Sequence, residues 1–139
     1  MSKKHIGYLL KNINDKLRTR ADADLKRYHL TLAQSRVIAF LNAKGGAATQ
    51  KEIELFLEVS HPTVVGIVSR MEQNGHVTSW MDAKDKRNKI VQVTDEAKAI
   101  RMELEKNMLA SEQRMMQSFS EEEVEKLREM LTTIYNNLD

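Results

Sequence analysis

A mainly α-helical fold with a minor β component is predicted by three features of this sequence. Apolar residues recur at three- and four-residue steps over most of the chain. That period gives way to strict alternation only between residues 77 and 94. Ser or Thr followed three residues later by Glu or Gln occurs at three places where such a periodic run begins, the pattern of a helix-opening capping box. One proline and five glycines in 139 residues leave long helices permitted nearly everywhere.

The elements follow in order. Ile6, Leu9, Ile13, Leu17 and Ala21, continued by Leu25 and Tyr28, form one stripe on a helix over about residues 4–28. Thr31 with Gln34 opens a second helix at about 32–43, whose apolar members are Val37, Ile38, Phe40 and Leu41, and Gly45-Gly46 stops it. Thr49 with Glu52 starts a short helix over about 50–56. Leu57-Glu58-Val59-Ser60 is a tight connection; Ser60 suits the N-cap of the next helix, and Pro62 is tolerated in its first turn. That helix runs to about Gln73, where Asn74-Gly75 ends it.

Val77, Ser79 and Met81 then alternate with Thr78 and Trp80, and Val91 and Val93 alternate with Ile90 and Gln92, predicting two strands. Residues 82–89 between them form a polar hairpin tip with four basic and two acidic residues. From Asp95 the chain is expected to be helical to about Gln117, with Ile100, Leu104, Met108 and Met115 on its apolar face and Asp95 and Glu96 favoured at its start. Ser120 with Glu123 caps the last helix, with Phe119 and Val124 placed as a hydrophobic staple. Val124, Leu127, Leu131, Ile134 and Leu138 make a coiled-coil-like seam along it. No internal repeat or linker divides the chain, so residues 1–139 read as a single domain.

Composition narrows the function class. A chain with 41% hydrophobic and 30% charged residues is ordinary for a soluble protein, and no apolar run reaches membrane-spanning length. Met1-Ser2-Lys3-Lys4 is basic but no apolar signal core follows, so a cytoplasmic location is expected. The absence of cysteine excludes disulfides, thiolate metal sites and thiol redox sensing. The net charge of +2 conceals an asymmetry: residues 1–51 carry 11 Lys/Arg against 3 Asp/Glu, whereas residues 95–139 carry 6 against 11. Such a division fits ends that pack on each other, a face that meets a polyanion, or simply solvated helices.

Residues 50–74 have the proportions of a helix-turn-helix, whose second helix enters the major groove of DNA. On a helical wheel Val64, Val65, Val68 and Met71 fall on a core side, while Pro62, Thr63, Gly66, Ser69, Arg70 and Gln73 fall opposite. The outer face is small near its start and lacks a carboxylate until Glu72, as a helix between phosphate walls requires. Gly66 costs about 1 kcal/mol relative to Ala in a helix interior, and either close approach of a DNA backbone or close helix packing would account for it. His61, beside Ser60 at the helix start, is placed to touch phosphate or water. The hairpin tip, with Lys84, Lys86, Arg87 and Lys89, is poor packing material but suited to a minor groove, and Asp85 is placed to hold the Arg87 guanidinium.

The segments Leu30–Gln34, Thr49–Ile53, Val59–Val64, Arg70–Gly75, Asp85-Lys86-Arg87 and Val91–Thr94 together resemble the MarR (multiple antibiotic resistance regulator) family, in order and across essentially the whole chain. The resemblance implies a winged helix-turn-helix over about residues 32–94, with a wing at about 77–94 and dimerisation helices at about 4–28 and 96–139. It implies a homodimer on a pseudo-palindromic DNA site, residues 61–73 as the recognition helix and Arg87 as a minor-groove finger. It also implies a repressor released by a small anionic or phenolic effector. Where the family commonly has Arg in the first wing strand this chain has Ser79 and Trp80, and His76 stands where an apolar residue is usual.

Two other classes fit less well. Enzymatic chemistry finds no support: the four histidines form no His-Glu-x-x-His pattern, and there is no Gly-rich phosphate loop or serine-nucleophile motif. No cofactor and no metal site are expected, since lone histidines at these spacings are usually surface or cap residues. A purely helical interaction module would suit the terminal seam and the eight methionines, of which Met108, Met115 and Met116 could be core or could line a ligand cavity. It gives no reason for the basic hairpin. Salt separates the two, because phosphate-driven binding weakens steeply as salt rises.

Overall fold

A computed structural model describes residues 4–139; the basic Met1-Ser2-Lys3 lies outside the described residues. The elements are α1 (Ile6–Arg27), α2 (Leu32–Ala43), β1 (Ala47–Thr49), α3 (Gln50–Leu57), α4 (His61–Gln73), β2 (Val77–Met81), β3 (Lys89–Val93), α5 (Asp95–Met115) and α6 (Glu121–Asn136). The fold is thus mainly helical with one small antiparallel sheet. Among the described residues no helix is long and apolar enough to cross a membrane.

The helix starts obey local chemistry. Thr31 accepts from the Gln34 N–H while the Gln34 side chain accepts from the Thr31 N–H, and Thr49 with Glu52 and Ser120 with Glu123 repeat this reciprocal pair. Helix α4 ends at Asn74, and Gly75 follows at φ +79°, a conformation in which a Cβ would also stand 3.2 Å from the Glu96 Oε2. The turn between α3 and α4 is made without glycine: Glu58 adopts φ 56°, at a cost of about 1 kcal/mol for a residue with a Cβ.

Sequence periodicity does not reveal β1. Its three residues pair antiparallel with β3 (Ala47 opposite Gln92, Thr49 opposite Ile90), and β3 pairs on its other side with β2 (Val77 opposite Val93, Met81 opposite Lys89). The sheet order β1-β3-β2 puts β3 in the centre.

The chain divides after Leu104 into two compact units, the second being Glu105–Asp139. In the first, Val37, Leu41, Ile53, Val64, Val68, Met71, Val77 and Val91 are fully buried, so the core lies under the helix-turn-helix and the sheet. Ile100 and Leu104 pack against this core. The Met108 and Met115 positions of the same helix are exposed, contrary to a continuous packed face. In the second unit α6 has no buried residue; Leu131 and Leu138 of its seam are exposed. Phe119, Val124 and Met116 line a shallow depression there with Gln113, Glu121, Glu125 and Arg128. Helix α1 likewise buries only Leu25, leaving Ile6, Leu9 and Ile13 in solvent.

His76 is 2% exposed. Burial pushes its imidazole below the ordinary value of 6.5; the Tyr28 backbone carbonyl and the Glu96 carboxylate oppose that shift, and His29 adds to it. Its Nδ1 has no hydrogen-bond partner. The folded chain therefore resists a proton that the unfolded chain accepts, so stability is fully present above the unfolded pKa and falls as pH drops below about 6.5. Denaturant midpoints measured between about pH 7.5 and pH 5 should decline in the wild type, and His76→Leu should flatten that decline.

Candidate nucleic-acid interface

The burial of one side of α4 dictates what its other side presents. Val64, Val68 and Met71, spaced by four and three residues, are completely buried, and Ile67 packs beside them. His61, Pro62, Thr63, Ser69, Arg70 and Gln73 are consequently exposed, and Gly66 is half-buried. Val65 is a correction to the sequence reading. It is 42% exposed, because it stands three residues after Pro62 and four before Ser69 and so shares the outward stripe. That spacing is present in the sequence, but hydrophobicity outweighs it there.

At the start of α4, Ser60 is the N-cap, with its Oγ accepting from the Thr63 N–H at 3.4 Å and lying 2.8 Å from the Thr63 hydroxyl. His61 is not a free terminal donor: its Nδ1 lies 3.1 Å from the Glu54 Oε2 of α3. The pair ties the first residue of α4 to the preceding helix. A Cβ built at Gly66 meets nothing within 4 Å. Close helix packing does not explain this glycine.

The hairpin between β2 and β3 is internally braced. The Asp82 N–H donates to the Asn88 carbonyl at 2.9 Å, and the Lys84 N–H to the Asp82 carboxylate at 3.0 Å. At the tip the Arg87 guanidinium grips Asp85 through two bonds, Nε to Oδ1 at 3.0 Å and the Nη2 atom to Oδ2 at 3.1 Å, while the Arg87 N–H also donates to Oδ1. The side-chain and backbone donors of Arg87 hold the Asp85 carboxyl below the usual carboxylate range, and Asp85 in turn raises Arg87. The brace uses one edge of the guanidinium and leaves the Arg87 side chain 90% exposed. Lys84 and Lys86 are exposed beside it. Lys89 differs: it is the first residue of β3, and its ammonium lies 3.5 Å from Glu72 of α4.

All of the candidate residues thus lie on two neighbouring structures, the outward face and start of α4 and the hairpin tip. Among the described residues no group of three or more His, Asp or Glu is placed to hold a metal ion.

A helix-turn-helix followed directly by a β-hairpin whose central strand also pairs with a strand before the first helix defines a winged helix-turn-helix protein. The MarR family model matches residues 28–88. The uncharacterized HTH-type transcriptional regulator YwoH of Bacillus subtilis (strain 168) is 34% identical over 121 residues, covering 85% of this chain and 87% of its own. Among solved structures, Staphylococcus aureus MepR in a complex with DNA is 26% identical with a TM-score of 0.83, covering 96% of this chain and 99% of that one. MepR as a transcription regulator of the S. aureus multidrug efflux pump MepA superimposes with a TM-score of 0.85 at 24% identity, covering 97% and 99%, an agreement of fold. This chain belongs to the MarR family of transcriptional regulators.

Because open space surrounds the Gly66 position, Gly66→Ala should raise folding stability by about 0.5–1 kcal/mol, read as a higher denaturant midpoint with an unchanged slope.

Proposed function

We propose that this chain binds a pseudo-palindromic DNA site as a homodimer, with α4 in the major groove and the hairpin tip in the adjacent minor groove. The observation that carries the reading is the outward face of α4, which stays slender and free of carboxylate through Arg70 while the opposite face is locked in the core. Thr63, Ser69, Arg70 and Gln73 are the base-reading candidates, and exposed Val65 is placed for apolar contact with a thymine methyl. Lys84, Lys86 and Arg87 supply charge at the tip, where a narrow groove concentrates negative potential. The DNA complex of MepR supports duplex DNA as the partner.

The homodimer is supported by exposed apolar residues along α1 and along the seam of α6: Ile6, Leu9, Ile13, Leu131 and Leu138. A second copy covers them and sets two α4 helices about one DNA turn, roughly 34 Å, apart. Repression, released by a small anionic or phenolic effector, is the mode of regulation that family membership supports.

The purified protein should retain particular duplexes from sheared genomic DNA, and these provide the probe. Arg87→Ala should weaken binding to selected and unselected duplexes alike and lower the salt slope by about 1, measured by fluorescence anisotropy across a salt series. Arg70→Ala and Gln73→Ala should instead lose about 1–3 kcal/mol at individual base pairs, seen by comparing base-substituted duplexes. Unchanged affinity in an Arg87→Ala protein removes the wing from the interface. Sedimentation should give a dimer, and a monomer at micromolar concentration overturns the two-lobed reading.

A further inference from the structure

Glu72 is the one carboxylate of α4, an anion on the helix that must approach phosphates. Its Oε1 accepts from the Ser79 hydroxyl of β2 and stands 3.5 Å from the Lys89 Nζ of β3. Ser79 and Lys89 lie on opposite strands and on the same face of the ribbon, since Ser79 is opposite Val91 and side chains alternate. One side chain of α4 therefore holds both strands of the hairpin.

The position of this contact gives it leverage. Strand β1 ends at Thr49, opposite Ile90. From Lys89 and Met81 outward the ribbon has only two strands, and an isolated two-stranded ribbon is marginal in water. The clasp sits where support from β1 stops, immediately before the loop that carries Lys84, Lys86 and Arg87. The small Ser79 hydroxyl fits against this carboxylate, where a longer side chain would displace it.

We propose that Glu72 is a positioning residue, whose clasp on Ser79 and Lys89 fixes the direction in which the wing tip stands relative to α4. The inference rests on the DNA-binding reading of these two elements and adds how they are aligned. Two grooves of DNA must be entered together, so a misdirected tip loses contact even with every basic residue intact. The proposal opposes simple electrostatics, in which removing a carboxylate near DNA strengthens binding.

The test compares wild type, Glu72→Ala, Arg87→Ala and the double variant on the selected duplex, with Trp80, the chain's single tryptophan, as a reporter inside β2 that needs no DNA. Glu72→Ala should weaken binding roughly three- to tenfold, and by less once Arg87 is gone, as coupled neighbours do. The anisotropy decay of Trp80 in the free protein should gain a fast local component while the melting midpoint hardly moves. Lys89→Met, which breaks the clasp from the other strand, should reproduce both effects in weaker form. Tighter binding by Glu72→Ala, or an equal loss with and without Arg87, overturns the proposal. If Arg87→Ala itself leaves affinity unchanged, the wing is not part of the DNA interface, and Trp80 then decides the clasp alone: unchanged local motion in Glu72→Ala and Lys89→Met overturns it.

Discussion

Burial of Val64, Val68 and Met71 is the constraint on which the rest of this structure depends. These three side chains lie in the core with Val37 and Leu41 of α2, Ile53 of α3 and Val91 of β3. Their removal from water fixes the rotation of α4 about its own axis, because a turn of 100° would exchange buried Val68 for exposed Ser69 or, in the other sense, buried Met71 for exposed Arg70. The outward face thus gains its direction from the inward one. Ser60 sets where the helix begins, the Glu54–His61 pair ties that start to α3, and Gly75 sets where it ends.

The distribution of burial also separates the parts of the chain by what they need. The core under the helix-turn-helix is self-contained, whereas the first half of α1 exposes Ile6, Leu9, Leu10 and Ile13, and α6 exposes Met130, Leu131 and Tyr135. An amphipathic helix gains most of its stability from packing of that face, so long helices with one buried residue or none are incomplete alone. For a regulator that places two reading heads on one duplex, as proposed above, this incompleteness serves function: the pieces that need a partner are those outside the reading head.

The wing is held together differently. Beyond Val77, Val91 and Val93, which belong to the core, its form comes from polar contacts: Asp85 with Arg87 at the tip, Asp82 with the Lys84 N–H beside it, Glu72 with Ser79 and Lys89 at its root. The exposed ion pairs among them, Asp85–Arg87 and Glu72–Lys89, contribute little to global stability. Their effect is directional, holding a charged loop in one attitude.

By itself the sequence determined most helix starts and stops, which are governed by neighbours a few residues apart. The capping boxes at Thr31, Thr49 and Ser120, the Ser60 cap, the Asn74-Gly75 stop and the Asp85–Arg87 brace were all legible, because each closes over two or three residues. The outward positions of Pro62, Thr63, Ser69, Arg70 and Gln73 were legible from helical period. Only the tertiary structure decided the remainder. Strand β1 exists because β3, some forty residues later, supplies its hydrogen bonds. His61 meets Glu54, and Lys89 turns from the tip toward Glu72, because of where neighbouring elements lie. Open space around Gly66 is likewise a property of the assembled chain. Local pattern sets what each segment can form; which face, and against which distant group, is settled only when the segments pack.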